Sequence, residues 1–119
     1  VCRQLTDDHS VMGEQLRQGL ITPEQAENHP MRNVLTRSLG CMPTVEVDVL
    51  EGALLPGDVF VLGTDGMTRV LDERSIGERV GRAASAQEAA RDIVRYACVA
   101  DGTDNVTAVV VRVRTSAPG

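Results

Sequence analysis

Apolar residues recur along the chain with two periods, and the changes of period divide it into elements. Met12, Leu16 and Leu20 lie at i, i+4 and i+8, one stripe of a helix over residues 10–18, with Ser10 placed to cap its start and Gly19 to end it. Thr22, Pro23 and Gln25 supply a capping residue, a proline at the first helical position and the partner of a capping box, so a short second helix begins there and Pro30 stops it. Val34, Leu35 and Leu39 suit a helix or a strand equally, so the pattern selects neither, and irregular chain is the expectation over residues 31–40. Val45, Val47 and Val49 alternate with Glu46 and Asp48, the mark of a strand over residues 45–50 with one wet face. Pro56, Gly57 and Asp58 make a turn. Val59, Phe60, Val61 and Leu62 then form the continuous apolar run expected of a strand buried on both faces, paired with the first as a hairpin.

Two helices follow. Asp72 precedes one with Ile76, Val80 and Ala83 on a single face; Ser85, with Glu88 three residues on, caps the other. Ala86, Ala89, Ala90, Ile93, Val94 and Ala97 give that last helix a broad core-facing stripe. Residues 106–113 return to period 2, with Val109, Val111 and Val113 expected inward and Arg112 and Arg114 outward, and residues 115–119 read as a frayed tail. The order predicts an α+β fold in which residues 45–50, 59–62 and 106–113 share one antiparallel sheet. The last two helices should cover one face of it through Ile76, Val80, Ala89, Ile93 and Ala97.

Composition narrows the class. The 119 residues are 42% hydrophobic and 24% charged, the balance of one small folded domain and unlike that of disordered chains. A net charge of −5 and only one Phe and one Tyr remove both the basic face and the stacking rings that a nucleic-acid binder uses. No apolar run approaches a membrane span. Cys2, Cys41 and Cys98 form no C-x-x-C pair and leave an odd count, which fits free thiols in a reducing cytoplasm, with Cys41 and Cys98 expected as packed small hydrophobes. Val1 opens inside a pattern that leads directly into a helix start, so the chain is expected to be part of something longer.

Two acidic residues sit where strands meet loops. Asp65 follows the apolar run and precedes Gly66, which lets the backbone turn sharply; Asp104 lies just before the last strand, within Asp101, Gly102, Thr103, Asp104 and Asn105. Neighbouring strands would bring their carboxylates to one rim. Two carboxylates a few ångströms apart repel by roughly 1 kcal/mol, a cost that a bound hard cation such as Mg2+ or Mn2+ reverses. Asp-Gly is also an ordinary turn pair and Asp-Asn an ordinary cap, so spacing alone leaves both readings open. His9 reads as a hydrogen-bonding structural residue and His29 as a surface one. Arg74, Glu78 and Arg82 read as a solvated helix face.

Five segments in order resemble the bacterial PP2C-type (PPM) metal-dependent protein serine/threonine phosphatases. They are Leu5-Thr6-Asp7-Asp8-His9-Ser10; Gly19-Leu20-Ile21-Thr22-Pro23-Glu24-Gln25-Ala26; His29-Pro30-Met31-Arg32-Asn33-Val34-Leu35-Thr36-Arg37-Ser38-Leu39-Gly40; Gly57 through Thr68, with Thr64-Asp65-Gly66-Met67-Thr68 in place of the family's S-D-G-[LM]-[ST]; and Gly102-Thr103-Asp104-Asn105-Val106-Thr107. The resemblance implies part of a β-sandwich of antiparallel sheets flanked by helices, with residues 10–29 a helical flap-like segment and residues 45–114 a sheet and helix core, the whole of 1–119 being the C-terminal portion of the domain. It also implies hydrolysis of phosphoserine and phosphothreonine in proteins, opposing a serine/threonine kinase, at a two-metal Mg2+ or Mn2+ site with a third ion in addition. Asp65 and Asp104 would hold one metal and Asp8 would lie at the third position, with Gly66 and Asn105 in support.

The departures matter too. The family's D-G-x-G-G segment, whose Asp bridges both metals, has no counterpart in these 119 residues, so the isolated chain is expected to be inactive. The alternative is an inactive fragment or pseudophosphatase acting as an interaction or regulatory module, with exposed sheet edges open to self-association. Arg69 stands where many relatives carry a neutral or acidic residue; a cation there either weakens local metal affinity or points outward, and the outward position is the expectation.

Overall fold

The computed structural model describes residues 1–31, 35–40 and 42–115, without the side chains of Val11 and Glu27. Val34, Cys41, the Arg32-Asn33-Val34 part of the third segment and the tail residues 116–119 lie outside the described residues. The chain divides into two compact units, Gln4–Glu51 and a second made of Val1–Arg3 with Gly52–Gly119.

The Gln4–Glu51 unit carries two short helices with the expected caps. α1 (Val11–Arg17) starts where the Ser10 hydroxyl accepts the Gly13 N–H at 2.9 Å, and the chain leaves it through Gly19 at φ 73°, a left-handed conformation that glycine adopts without steric cost. α2 (Pro23–Glu27) has the reciprocal capping box: Thr22 Oγ1 accepts the Gln25 N–H at 3.2 Å and Gln25 Oε1 accepts the Thr22 N–H at 2.9 Å.

The expected strand over residues 45–50 is absent, and with it the hairpin. A strand needs a neighbour for its N–H and C=O groups, and among the described residues nothing pairs with this segment. Its acids are engaged instead. Arg37 reaches Asp48 Oδ1 at 2.9 Å and Glu46 Oε2 at 3.3 Å, while His9 Nε2 meets Asp48 Oδ2 at 2.8 Å, the hydrogen-bonding role expected of His9. Val47 and Val49 are each 75% exposed. The Arg37 hydrogen bond, with that of His9 second, holds the Asp48 carboxyl below its ordinary range. His29 is half-buried rather than on the surface, its Nδ1 accepting the Met31 N–H at 3.1 Å.

The second unit runs β1 (Val59–Gly63), α3 (Asp65–Thr68), α4 (Glu73–Arg82), α5 (Ala86–Ala100) and β2 (Ala108–Arg112). β1 and β2 pair antiparallel from Val59↔Arg112 to Gly63↔Ala108, as the sequence predicts for these two strands. Asp72 caps α4 by accepting the Ser75 N–H at 2.8 Å, and Ser85 caps α5 by accepting that of Glu88 at 3.1 Å. Ala89, Ile93 and Ala97 of α5 are fully buried; with Ile76, Met67 and Leu71 they form the core, against which Val61, Val80, Ala108 and Val110 are partly buried.

Three expectations fail here for one reason, which is where the helices lie. They cover the Val61, Ala108 and Val110 face, so Val109 and Val111 point outward, the reverse of the expected facing, and Leu62 is exposed where a doubly buried strand was expected. Arg112 turns toward the helices because the end of α4 offers it carbonyls: it donates to those of Ala83 (2.7 Å), Ala84 (3.2 Å) and Val80 (3.3 Å). Cys98, expected as a packed hydrophobe, is exposed, whereas Cys2 is partly buried against the core. Arg74 does form an ion pair with Glu78 on an exposed face of α4 at 3.1 Å.

Candidate metal site

The register decides which end of the sheet carries the acids. Gly63 ends β1 opposite Ala108, which begins β2, so the segment leaving β1 and the segment entering β2 emerge side by side. Thr64 ties them together. Its N–H donates to the Thr107 carbonyl at 3.1 Å, its hydroxyl accepts the Thr107 N–H at 3.1 Å, and the same hydroxyl lies 3.4 Å from the Asn105 carbonyl, to which it donates. Gly66 is buried beneath the crossing, and a Cβ there would run into the Asn105 carbonyl oxygen and the Val106 side chain. Glycine at this position therefore lets the two segments approach.

Asp65 and Asp104 are brought together by this arrangement. Arg69 Nη2 lies 3.0 Å from Asp65 Oδ2 and Arg69 Nη1 lies 3.0 Å from Asp104 Oδ2, so one guanidinium spans both carboxylates. The expectation that Arg69 points outward is overturned. Four residues beyond Asp65 and at the C-cap of α3, it sits one helical turn from the first acid, and the second lies within reach of its other nitrogen. The remaining oxygen of Asp104, Oδ1, accepts the Asn105 N–H at 2.8 Å, so Asn105 supports the loop through its backbone. Asp101 closes the preceding turn by accepting the Thr103 hydroxyl at 2.6 Å and its N–H at 3.0 Å. Those bonds hold the Asp101 carboxyl below its ordinary range, with the Arg69 charge adding to the effect.

Asp8 belongs to the other compact unit, where Gln4 Nε2 donates to its Oδ1 at 3.3 Å and Arg17 to its carbonyl at 3.0 Å. Among the described residues no group of three or more His, Cys, Asp or Glu side chains gathers as metal ligands do. What the Asp65 and Asp104 pair provides is two carboxylate oxygens converging on one positive charge. A hard divalent ion that keeps most of its waters is commonly held by one or two carboxylates, so the donor set suits such an ion. That Asp65 and Asp104 meet at one rim was legible in the sequence. The Thr64 tether and the Arg69 bridge were not, although the i, i+4 spacing of Asp65 and Arg69 on a helix was the available signal.

No protein-family model matches the chain. Known proteins do. A protein phosphatase 2C-type chain of Streptococcus pyogenes is 36% identical over 107 residues, which are 90% of this chain and 44% of the relative. The Streptococcus agalactiae serine/threonine phosphatase superposes with a TM-score of 0.88 at 32% identity, over 94% of this chain and 46% of that one. The PPM Ser-Thr phosphatase MsPP of Mycobacterium smegmatis, solved in complex with cacodylate, gives 0.79 at 41% identity, over 93% and 47%. The chain spans about half the length of the curated relatives it matches. Over that span the fold and the sequence likeness agree: the chain is similar to about half of the bacterial PP2C-type protein serine/threonine phosphatases.

Proposed function

We propose that this chain supplies part of the catalytic domain of a metal-dependent protein serine/threonine phosphatase, in which Asp65 and Asp104 together hold one Mg2+ or Mn2+ ion. The observation that carries the reading is the convergence of these two carboxylates on a single cationic group at the end of the β1 and β2 pair. A metal bound there would lower the pKa of a coordinated water and neutralise phosphoryl charge. The chain's own part is to fix the two acids: Thr64 locks the segments that bear them, Gly66 permits their approach, and Asn105 orients Asp104. Asp8 is assigned to the third metal position on the family resemblance. Substrates are phosphoserine and phosphothreonine proteins modified by a partner kinase. The compartment is the cytoplasm, a reading supported by the unpaired thiols of Cys2 and Cys98, and no helix among the described residues is long and apolar enough to cross a membrane.

The test is hydrolysis of a phosphothreonine peptide with and without Mn2+, by the 119-residue chain and by the same residues joined to a complete N-terminal half. The joined protein should be active and lose activity in Asp65→Asn or Asp104→Asn, while the chain alone should show little or none, since these residues contain no D-G-x-G-G segment. Full activity of the joined Asp65→Asn protein would remove the assignment. A second reading, an interaction module without turnover, draws on the exposed apolar side chains Leu62, Val109 and Val111 on the outer face of the sheet. It predicts binding of a partner chain that Asp65→Asn leaves unchanged.

A further inference from the structure

The cation that the two acids hold is part of the chain itself. Arg69 lies within 3.0 Å of Asp65 on one side and 3.0 Å of Asp104 on the other, presenting its two terminal nitrogens to separate carboxylates. A planar guanidinium offers paired donors at fixed spacing, which an ammonium does not. Its side chain is 43% exposed, and those of Asp65 and Asp104 are 63% and 33% exposed, so the bridge is wet, can open without disturbing the core, and is weak for each ion pair taken alone. Any metal that takes Asp65 Oδ2 and Asp104 Oδ2 must first displace the guanidinium, because both groups use the same oxygens. Asp101, near enough for the Arg69 charge to act on its carboxyl, offers a released guanidinium another anion.

We infer that Arg69 is a tethered counter-ion that competes with the metal for Asp65 and Asp104, setting the divalent-ion concentration at which this site fills. The inference rests on the proposed metal role of those two acids. With Arg69 in place, one of the two negative charges of the ion-free site is offset and both acids are held, and metal binding costs the two ion pairs. Without Arg69, two uncompensated carboxylates face each other, and a divalent ion relieves their repulsion directly.

The experiment is Mn2+ titration of the 119-residue chain, following free Mn2+ by electron paramagnetic resonance, with Arg69→Gln, Arg69→Lys, Asp65→Asn and the double variant Arg69→Gln/Asp65→Asn alongside. Arg69→Gln should bind Mn2+ on the order of tenfold more tightly, the sum of two exposed ion pairs no longer displaced, and Arg69→Lys should fall between because a point charge cannot span both acids. The gain should vanish in the double variant. Thermal unfolding provides a readout independent of affinity: Arg69→Gln should be less stable than the parent chain without metal and should gain more from added Mn2+. Equal Mn2+ affinity in parent and Arg69→Gln, with Asp65→Asn weaker than both, would overturn the competition while leaving the metal assignment standing. If no protein in the set binds Mn2+ and none gains stability from it, the metal assignment falls and the inference falls with it.

Discussion

Thr64 and Thr107 are joined by two hydrogen bonds in opposite directions, Thr64 N–H to the Thr107 carbonyl and Thr107 N–H to the Thr64 hydroxyl, both 3.1 Å. The first continues the strand pairing one step past Gly63 and Ala108; the second substitutes a side chain where the backbone ladder runs out. The hydroxyl is thus the last fixed point before Asp65 on one segment and the first after Asp104 on the other. Thr64→Ser keeps the oxygen and should leave stability within a few tenths of a kcal/mol, whereas Thr64→Val keeps the shape and removes the acceptor, at a cost of about 1 kcal/mol. Urea midpoints of the two variants decide it, and equal midpoints would mean that the hydroxyl contributes nothing.

Two glycines in helices should respond oppositely to alanine. Gly66 is buried where a Cβ would meet the Asn105 carbonyl, a backbone group that cannot move without shifting Asp104. Gly66→Ala should destabilise the chain by about 1–3 kcal/mol. Gly81, in α4, has open space where its Cβ would go, so Gly81→Ala should stabilise by roughly 0.5–1 kcal/mol through helix propensity. Thermal unfolding of the two variants checks the pair, and a loss at Gly81 as large as at Gly66 would show that the contact at Asn105 is not the cause.

The contrast bears on what a sequence can disclose. Caps were legible because the chemistry is local: Ser10, Thr22, Asp72 and Ser85 each bind an N–H three residues on. The meeting of Asp65 and Asp104 at one rim was legible because antiparallel pairing brings the ends of β1 and β2 together. Facing was not legible. The alternation in residues 106–113 has period 2 whichever side is covered, and only the position of α4 and α5 decides that Val110 is inside and Val109 outside. Residues 45–50 fail differently: their alternation describes a side-chain pattern, and a strand also requires a partner backbone that the pattern does not mention.

Arg112 shows how a charged residue comes to occupy the covered face. Its guanidinium donates to the carbonyls of Val80, Ala83 and Ala84, at the C-terminal end of α4, where unpaired carbonyls gather and the helix dipole is negative. Arg112→Leu would satisfy the hydrophobic pattern of the strand better and should nonetheless destabilise by about 1–2 kcal/mol, because the carbonyls lose a charged donor. Arg112→Lys should recover part of the loss, since an ammonium can reach fewer of them at once. A more stable Arg112→Leu protein in denaturant unfolding would show that burial outweighs the cap.

The acid side of the stability profile should carry the signature of Asp72. Its carboxylate accepts the Ser75 N–H at the start of α4, and that bond, with the Ser75 side chain second, lowers its pKa below the ordinary range. A carboxyl whose folded pKa is depressed contributes stability that is fully present above its unfolded pKa and is lost as pH falls through the folded one. The loss therefore begins near about pH 4, the ordinary carboxylate value, and continues downward. Asn at position 72 still accepts the cap hydrogen bond but does not titrate and carries no charge for the helix dipole. The parent chain should accordingly be the more stable of the two at neutral pH, with the difference shrinking as the solution is acidified below that point. Asp48 and Asp101 also have depressed carboxyls and weaken both proteins alike in acid, so the difference between the parent and Asp72→Asn isolates the cap. Urea midpoints for the two proteins at neutral pH and at about pH 3 measure it. A difference that stays constant across that range would mean that the Asp72 charge plays no part in starting α4.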